Sequence, residues 1–203
     1  MKAQRLYLLI VPFLVILAFG ISVATDRLFY LSECKKLNTD CKASLLFVDY
    51  LKGNNSLSTL NLTPQETSHM QDVKNLFENI EFLFVFFATF TLSVMFFFLI
   101  KDRKKYREFI VDYLFFGGLL TLAIIILVLI FSYLGFYFVF EAFHKIFFAN
   151  GNYTFSDQST LIKLFPGQFF YDALTRIIIF SGIFSVFFAV TGYLLKKRKY
   201  DKI

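Results

Sequence analysis

The chain has 203 residues, of which 57% are apolar, 31 are phenylalanine and none is tryptophan, and its formal net charge is +6. This length fits one compact unit, and the apolar residues gather in four long runs instead of spreading along the chain as they would in a soluble core. The basic residues cluster in short segments beside those runs, so the positive balance reports membrane topology and anionic lipid heads, with no nucleic acid as partner.

The first run is Leu6–Ala24, uncharged and containing one proline, Pro12. Lys2 and Arg5 precede it and Ser22-Val23-Ala24 resembles a small-residue cleavage site. The stretch is nevertheless longer than the roughly 7–15 residues of a signal-peptide core, which favours a retained span. A longer mixed segment, 25–81, follows. Cys34 and Cys41 lie in it, and their spacing leaves a disulfide and two free thiols both open. Thr63-Pro64-Gln65-Glu66 is a helix start: Thr63 can cap, Pro64 suits the first helical position, and Glu66 can bond back to close a capping box. That helix runs from Pro64 towards Glu78, places His69, Asp72, Val73 and Leu76 on one face, and can feed straight into the second run, Phe82–Ile100.

Lys101, Arg103, Lys104, Lys105 and Arg107 separate the second run from the third, Tyr113–Phe140. The third run has 28 residues and as a helix is about 42 Å long, so it must tilt or protrude. Gly117 and Gly118 can bend it or let another helix approach closely. Glu141 and His144 sit beyond its end, three residues apart. A second mixed segment, 141–176, then holds Asp157-Gln158-Ser159-Thr160, which can start a short helix capped by Asp157 and ended at Phe165-Pro166-Gly167. Leu161, Ile162, Leu164 and Phe165 would lie along the lipid surface. Arg176 precedes the fourth run, Ile177–Leu195, where it can snorkel to lipid phosphate or steady a negative charge.

A bilayer core about 30 Å thick takes roughly 20 helical residues to cross, and each run meets that length. The chain therefore reads as all-α: a four-transmembrane-helix bundle, one integral membrane domain over 1–203, with spans at about 6–24, 82–100, 113–140 and 177–195. Lys196, Lys197, Arg198, Lys199 and Lys202 follow the last run, and with Lys2, Arg5 and the five between the second and third runs they make up twelve of the 21 in the chain. Basic residues are retained in the cytoplasm. Both termini are then cytoplasmic, and 25–81 with 141–176 form a small extracellular cap.

The chain has two histidines, His69 and His144, and both fall in the cap segments. Each has a carboxylate three positions away, Asp72 and Glu141. A carboxylate that accepts one ring N–H fixes the tautomer and leaves the other nitrogen as a base. As alternatives, each histidine is a surface or capping residue in a non-enzymatic protein that binds lipid or assists assembly, or the two histidines and a carboxylate hold a metal in a membrane hydrolase. The sequence has no metal-spaced Cys/His cluster, phosphate loop or serine nucleophile motif.

Pro64-Gln65-Glu66-Thr67-Ser68-His69-Met70-Gln71-Asp72-Val73-Lys74-Asn75-Leu76-Phe77 resembles the E-x-x-H-M-x-D-V-K-x-L-F signature of a bacterial membrane family. Phe143-His144-Lys145-Ile146-Phe147-Phe148, then Asn150, Phe155, Asp157, Leu161-Ile162 and Leu164-Phe165-Pro166, is similar to its F-H-x-x-F-F…N…F…D…L-I-x-L-F-P pattern. Tyr50-Leu51-Lys52-Gly53 resembles a further Y-L-x-G element, and Tyr153 departs from the tryptophan expected there. The family is the lipoprotein intramolecular transacylase of Gram-positive bacteria. The resemblance implies four helices, an outer cap, and a catalytic pair at His69 and His144, with Asp72, Glu141, Asp157 and Arg176 in support. It also implies a bacterial cell-membrane location with the site on the extracellular face. The implied partners are membrane lipid and lipoproteins whose N-terminal cysteine carries a diacylglyceryl group. The reaction would move the sn-2 acyl chain to the cysteine α-amine and leave a lyso-form lipoprotein. An ester becomes an amide, so no cofactor, ATP or acyl carrier is required.

Overall fold

The computed structural model describes residues 7–54, 57–148 and 151–200, the last two of these without their side chains. Lys2, Arg5, Leu6, Asn150 and Lys202 therefore lie outside the described residues, as does the side chain of Lys199. Among the described residues all regular structure is helical: α1 Ile10–Thr25, α2 Arg27–Leu37, α3 Cys41–Leu51, α4 Pro64–Lys101, α5 Arg103–Phe147, α6 Thr160–Leu164 and α7 Gly167–Tyr200.

Four of these are long and apolar enough to cross a membrane: Tyr7–Thr25, Pro64–Lys101, Arg103–Phe147 and Gly167–Arg198. Leu6 apart, the four apolar runs of the sequence fall within them. The 38 residues of α4 and the 45 of α5 make helices of roughly 57 and 68 Å. Both exceed a hydrocarbon core of about 30 Å, so their charged ends extend past it.

The described residues form two compact units, divided within α1 at Phe19–Gly20, within α4 at Ile80–Glu81, within α5 at Ile130–Phe131 and within α7 at Arg176–Ile177. The first unit holds the later part of α4, the earlier part of α5 and the later part of α7. Small residues set its packing. A Cβ on Gly118 would sit 2.8 Å from the Ser185 carbonyl oxygen and 2.8 Å from the Ala189 amide nitrogen, and one on Gly192 would sit 2.4 Å from the amide nitrogen of Phe115. α5 and α7 thus touch backbone to backbone, a contact driven by close packing where lipid offers no hydrophobic contrast. Phe82, Phe86, Phe90, Phe96, Phe97 and Phe187 point outward and are exposed, as a lipid-facing surface requires.

The second unit holds α2, α3, the polar start of α4, the end of α5, α6 and the start of α7. Asp26 caps α2 through the Leu28 N–H, and Asp40 caps α3 through the N–H groups of Lys42 and Ala43. A disulfide joins Cys34 to Cys41 and clips the two helices together, which decides the alternative that spacing left open. Behind them Phe29, Tyr30, Phe47, Phe165 and Phe169 pack ring to ring at 4.7–6.0 Å.

Of the two roles the sequence leaves open to Gly117 and Gly118 the second holds, and two details at α6 differ from expectation. Gly117 and Gly118 leave α5 unbent and serve close packing, Gly117 against Val11; the break in the helix lies at Gly135, with φ 177° and ψ 86°. α6 is capped by Ser159, whose side chain accepts the Ile162 N–H, so the exposed Asp157 is not its cap. Of the four apolar residues expected on the lipid surface near α6, only Ile162 is exposed, while Leu161, Leu164 and Phe165 are buried. Glu66 reaches back to the Thr63 N–H at 2.8 Å, as the capping box requires, and α4 continues without a break.

The glycine contacts give a direct contrast. Gly192→Ala forces a methyl group into the Phe115 backbone, and overpacking of about 1–3 kcal/mol should lower the melting midpoint by roughly 2–10 °C. Gly182→Ala, whose Cβ would meet nothing within 4 Å, should leave the midpoint unchanged or slightly raised through helix propensity. Circular-dichroism melting in detergent micelles reads both.

Candidate active site

His69 lies on the second turn of α4 and His144 near the end of α5, both within the second unit. Their rings come within 6.0 Å, centroid to centroid, tilted 25° from parallel. Each residue is buried, at 7% and 9% exposure. Two positions 75 residues apart in the chain have thus become one site.

The walls are aromatic. Phe148 touches both rings, at 4.8 Å from His69 and 5.4 Å from His144. Phe155 covers His69 at 5.5 Å, while Phe140 and Tyr153 pack on His144 at 4.1 and 5.3 Å. Removal from water disfavours the imidazolium. Burial pushes the pKa of both histidines below the ordinary value. For His69 the neighbouring His144 pushes the same way, while Asn152 and Asp72 oppose. For His144 the Phe140 carbonyl opposes. At neutral pH the pair is therefore uncharged, with lone pairs available to accept protons.

The tautomer of His144 follows from its hydrogen bond. Its Nδ1 lies 2.8 Å from the Phe140 carbonyl oxygen, and a carbonyl only accepts. Nδ1 carries the proton, so Nε2 holds the free lone pair of the neutral ring.

One face of α4 grips the segment that follows α5. Gln65 donates to the Thr154 carbonyl at 3.0 Å, and the Asn152 amide nitrogen lies 3.2 Å from Ser68 Oγ and 2.8 Å from Asp72 Oδ2. One turn earlier Glu66 is almost wholly buried, at 1% exposure. Its Oε1 accepts the Leu161 N–H at 3.0 Å and its Oε2 the Thr63 N–H. Burial pushes this carboxyl up, but those backbone donors outweigh it and hold it below the usual range, so it stays ionised.

The supporting residues expected from sequence fare unequally. Asp72 is in place, but it meets the Asn152 amide rather than an imidazole. Glu141 is exposed and pairs with Lys145 at 2.7 Å, one helical turn away; it does not orient His144. Asp157 is exposed and remote from capping, as noted above. Arg176 forms an ion pair with Asp26 at 2.8 Å and lies over the Phe29 ring. Sequence reasoning missed Asn152, which belongs to no pattern, and saw only the local half of Glu66. Among the described residues no three or more His, Cys, Asp or Glu side chains gather so as to hold a metal ion.

A family model described as lipoprotein intramolecular transacylase Lit matches residues 6–170. The membrane integral lipoprotein intramolecular transacylase Lit from Bacillus cereus has a similar fold, with a TM-score of 0.79 at 22% identity, covering 98% of this chain and 98% of that one. A variant of that protein with a histidine replaced by alanine matches with a TM-score of 0.76 at 22% identity, over 98% of this chain and 96% of that one. An uncharacterized protein of Aquifex aeolicus (strain VF5) is 29% identical over 135 residues, or 66% of this chain. The match takes in 58% of the length of that relative.

The Glu66 linkage makes a stability prediction. Glu66→Ala strands the buried N–H of Leu161 and frees that of Thr63, and should cost about 1–3 kcal/mol. A lower melting midpoint, together with faster proteolysis between 151 and 165, checks it.

Proposed function

The chain belongs to the lipoprotein intramolecular transacylase family, and from that premise we propose that His69 and His144 are the groups that move its protons. The substrate is a mature lipoprotein whose N-terminal cysteine carries a diacylglyceryl group on sulfur. The sn-2 acyl chain passes to the cysteine α-amine, leaving an N-acyl, S-monoacylglyceryl product. The observation that carries this reading is the pairing of two buried imidazoles in an apolar cage.

Amine and ester belong to one molecule, so the protein's first task is to hold them in attack geometry, which can replace a large part of the barrier. Its second task is proton transfer. The α-amine has a pKa of about 8 and arrives mostly as an ammonium. Becoming an amide removes two protons from that nitrogen. One ends on the departing glyceryl oxygen, and one is released.

Two neutral imidazoles suit this count. His69 takes the first proton from the ammonium, with Asp72 nearby to favour its charge. The freed amine attacks the ester carbonyl. The His69 imidazolium then donates to the developing oxyanion and, as the C–O bond breaks, to the leaving alkoxide. His144 takes the second proton at Nε2, the nitrogen that the Phe140 carbonyl leaves open.

The site works on the outer face of a bacterial cell membrane, and both termini face the cytoplasm. Two features support that placement. Disulfides persist in oxidising compartments, and Cys34–Cys41 belongs to the unit that carries the histidines. Basic residues crowd the opposite ends of the long helices, between α4 and α5 and at the end of α7. The cap comprises 25–81 and 141–176, and the exposed phenylalanines meet membrane lipid and acyl chains.

Three variants test the assignment in a host lacking its own transacylase, with lipoprotein N-termini read by mass spectrometry. His69→Ala and His144→Ala should each lower lyso-form product by roughly 100-fold or more while the protein still inserts. Glu141→Gln should retain wild-type conversion within about threefold, because its partner is Lys145. Wild-type yield from either histidine variant would discard the pair.

The pH profile follows from the same groups. Neutral imidazoles are the working form, and both pKa values are depressed. Purified enzyme should therefore hold its rate from pH 8 down to the ordinary imidazole value of about 6.5, and lose it only as pH falls further. A rate that declines already between pH 8 and 7 would contradict the proton count.

A further inference from the structure

We propose that Asn152 is a positioning residue for His69: it bridges Asp72 to the imidazole, fixes the ring with its proton on Nδ1, and leaves Nε2 to handle the substrate's proton. This rests on the reading of His69 as a proton carrier.

The argument starts from what a carboxylate can do. Asp72 only accepts, and its Oδ2 lies 2.8 Å from one end of the Asn152 amide. That end must be the nitrogen, which assigns the amide orientation by chemistry. The other end, Oδ1, is an obligate acceptor. It is buried and makes no formed hydrogen bond, and the same holds for His69 Nδ1. The two side chains nonetheless interact, and the Asn152 contact favours the protonated imidazole. Each atom is costly to leave unpaired, and each is the partner the other needs, provided that Nδ1 carries a hydrogen.

The backbone around Asn152 is held for this purpose. Gln65 donates to the carbonyl of Asn152 itself at 3.4 Å and to that of Thr154 at 3.0 Å. Phe155 then closes over the ring. Gln65, Ser68, His69 and Asp72 lie along one stripe of α4, so a single helix face presents the imidazole and anchors the residue that orients it.

The charged and titratable groups around His69 are few. Asp72 on α4 acts through the amide, and His144 on α5 opposes a second charge. Glu66 on α4 is committed to the Thr63 and Leu161 amides. Lys145 and Glu141 pair with each other, and Tyr153 stacks on His144. Removing Asn152 therefore severs the favourable link to Asp72, and His69 becomes a weaker base.

The test uses the full chain in phospholipid nanodiscs, labelled with ¹⁵N-histidine and purified on a tag without histidine. The chain's two histidines are assigned by single substitution. In the wild type, His69 Nδ1 should be N–H type and Nε2 lone-pair type near pH 7.5. Asn152→Leu keeps the size and removes the bonds to Ser68 and Asp72 together with the proposed one to His69. It should shift His69 toward the Nε2–H tautomer, move its titration to lower pH, and lower kcat on the order of tenfold with KM little changed. Asp72→Asn should weaken the titration in the same direction. A wild-type His69 that carries its proton on Nε2 overturns the proposal without any variant. So does an Asn152→Leu protein whose His69 tautomer and titration match the wild type. The catalytic reading fails separately, by retained activity in His69→Ala, and the tautomer measurement does not depend on that result.

Discussion

One buried carboxylate holds the site's frame together. Glu66 accepts backbone N–H groups from Thr63, at the start of its own helix, and from Leu161, 95 residues further along the chain. A buried charge is stable only when fully hydrogen-bonded. Glu66 therefore specifies where the first turn of α6 must sit relative to the first turn of α4. The segment 151–161 is then held at its Leu161 end. Its own bonds to Gln65, Ser68 and Asp72 fix the interior. Phe148 and Phe155 arrive on His69, and Tyr153 on His144, as a consequence of that tether.

The same frame sets the electrostatics. Near the histidines the aromatic walls exclude water, so the imidazoles rest uncharged. Two rings 6.0 Å apart resist both becoming imidazolium, which on the proposed reading suits a reaction that passes one proton on and releases another. The Glu141 charge one turn from His144 is neutralised by Lys145, and Asp72 meets the Asn152 amide. The cage therefore carries a bias of sign rather than a fixed charge.

How legible this was in the sequence depended on the range of the interaction. The spans were plain because an uncharged run of about 20 residues has few other fates. The start of α4 was plain because Thr63, Pro64 and Glu66 are local cues. Local cues also misled. Glu141 is three residues from His144 and four from Lys145, and the opposite charge on the same helix face won. Asp157 and Ser159 are both cap residues, and the choice of Ser159 fell to the contacts of α6. The pairing of His69 with His144 entered through resemblance, since periodicity cannot bring together residues on separate helices. Asn152 was invisible for a stronger reason. An asparagine in a loop carries no pattern, and its meaning comes only from Asp72 on one side and His69 on the other.

An intramolecular transfer explains why so small a polar set suffices. A hydrolase must place water and an acyltransferase must bind two substrates, and both demand further oriented groups. Here nucleophile and electrophile are joined by a few covalent bonds, so their effective concentration is high once the chain is folded back on itself. The remaining barrier is proton transfer in a dry setting, where each hydrogen bond to a charged imidazole counts for more than it would in water. On the proposed assignment, two rings, one amide and one carboxylate meet that need. Adding a fixed cation beside the rings would depress the imidazole pKa further and repel the incoming ammonium, and both effects would oppose the step that starts the reaction.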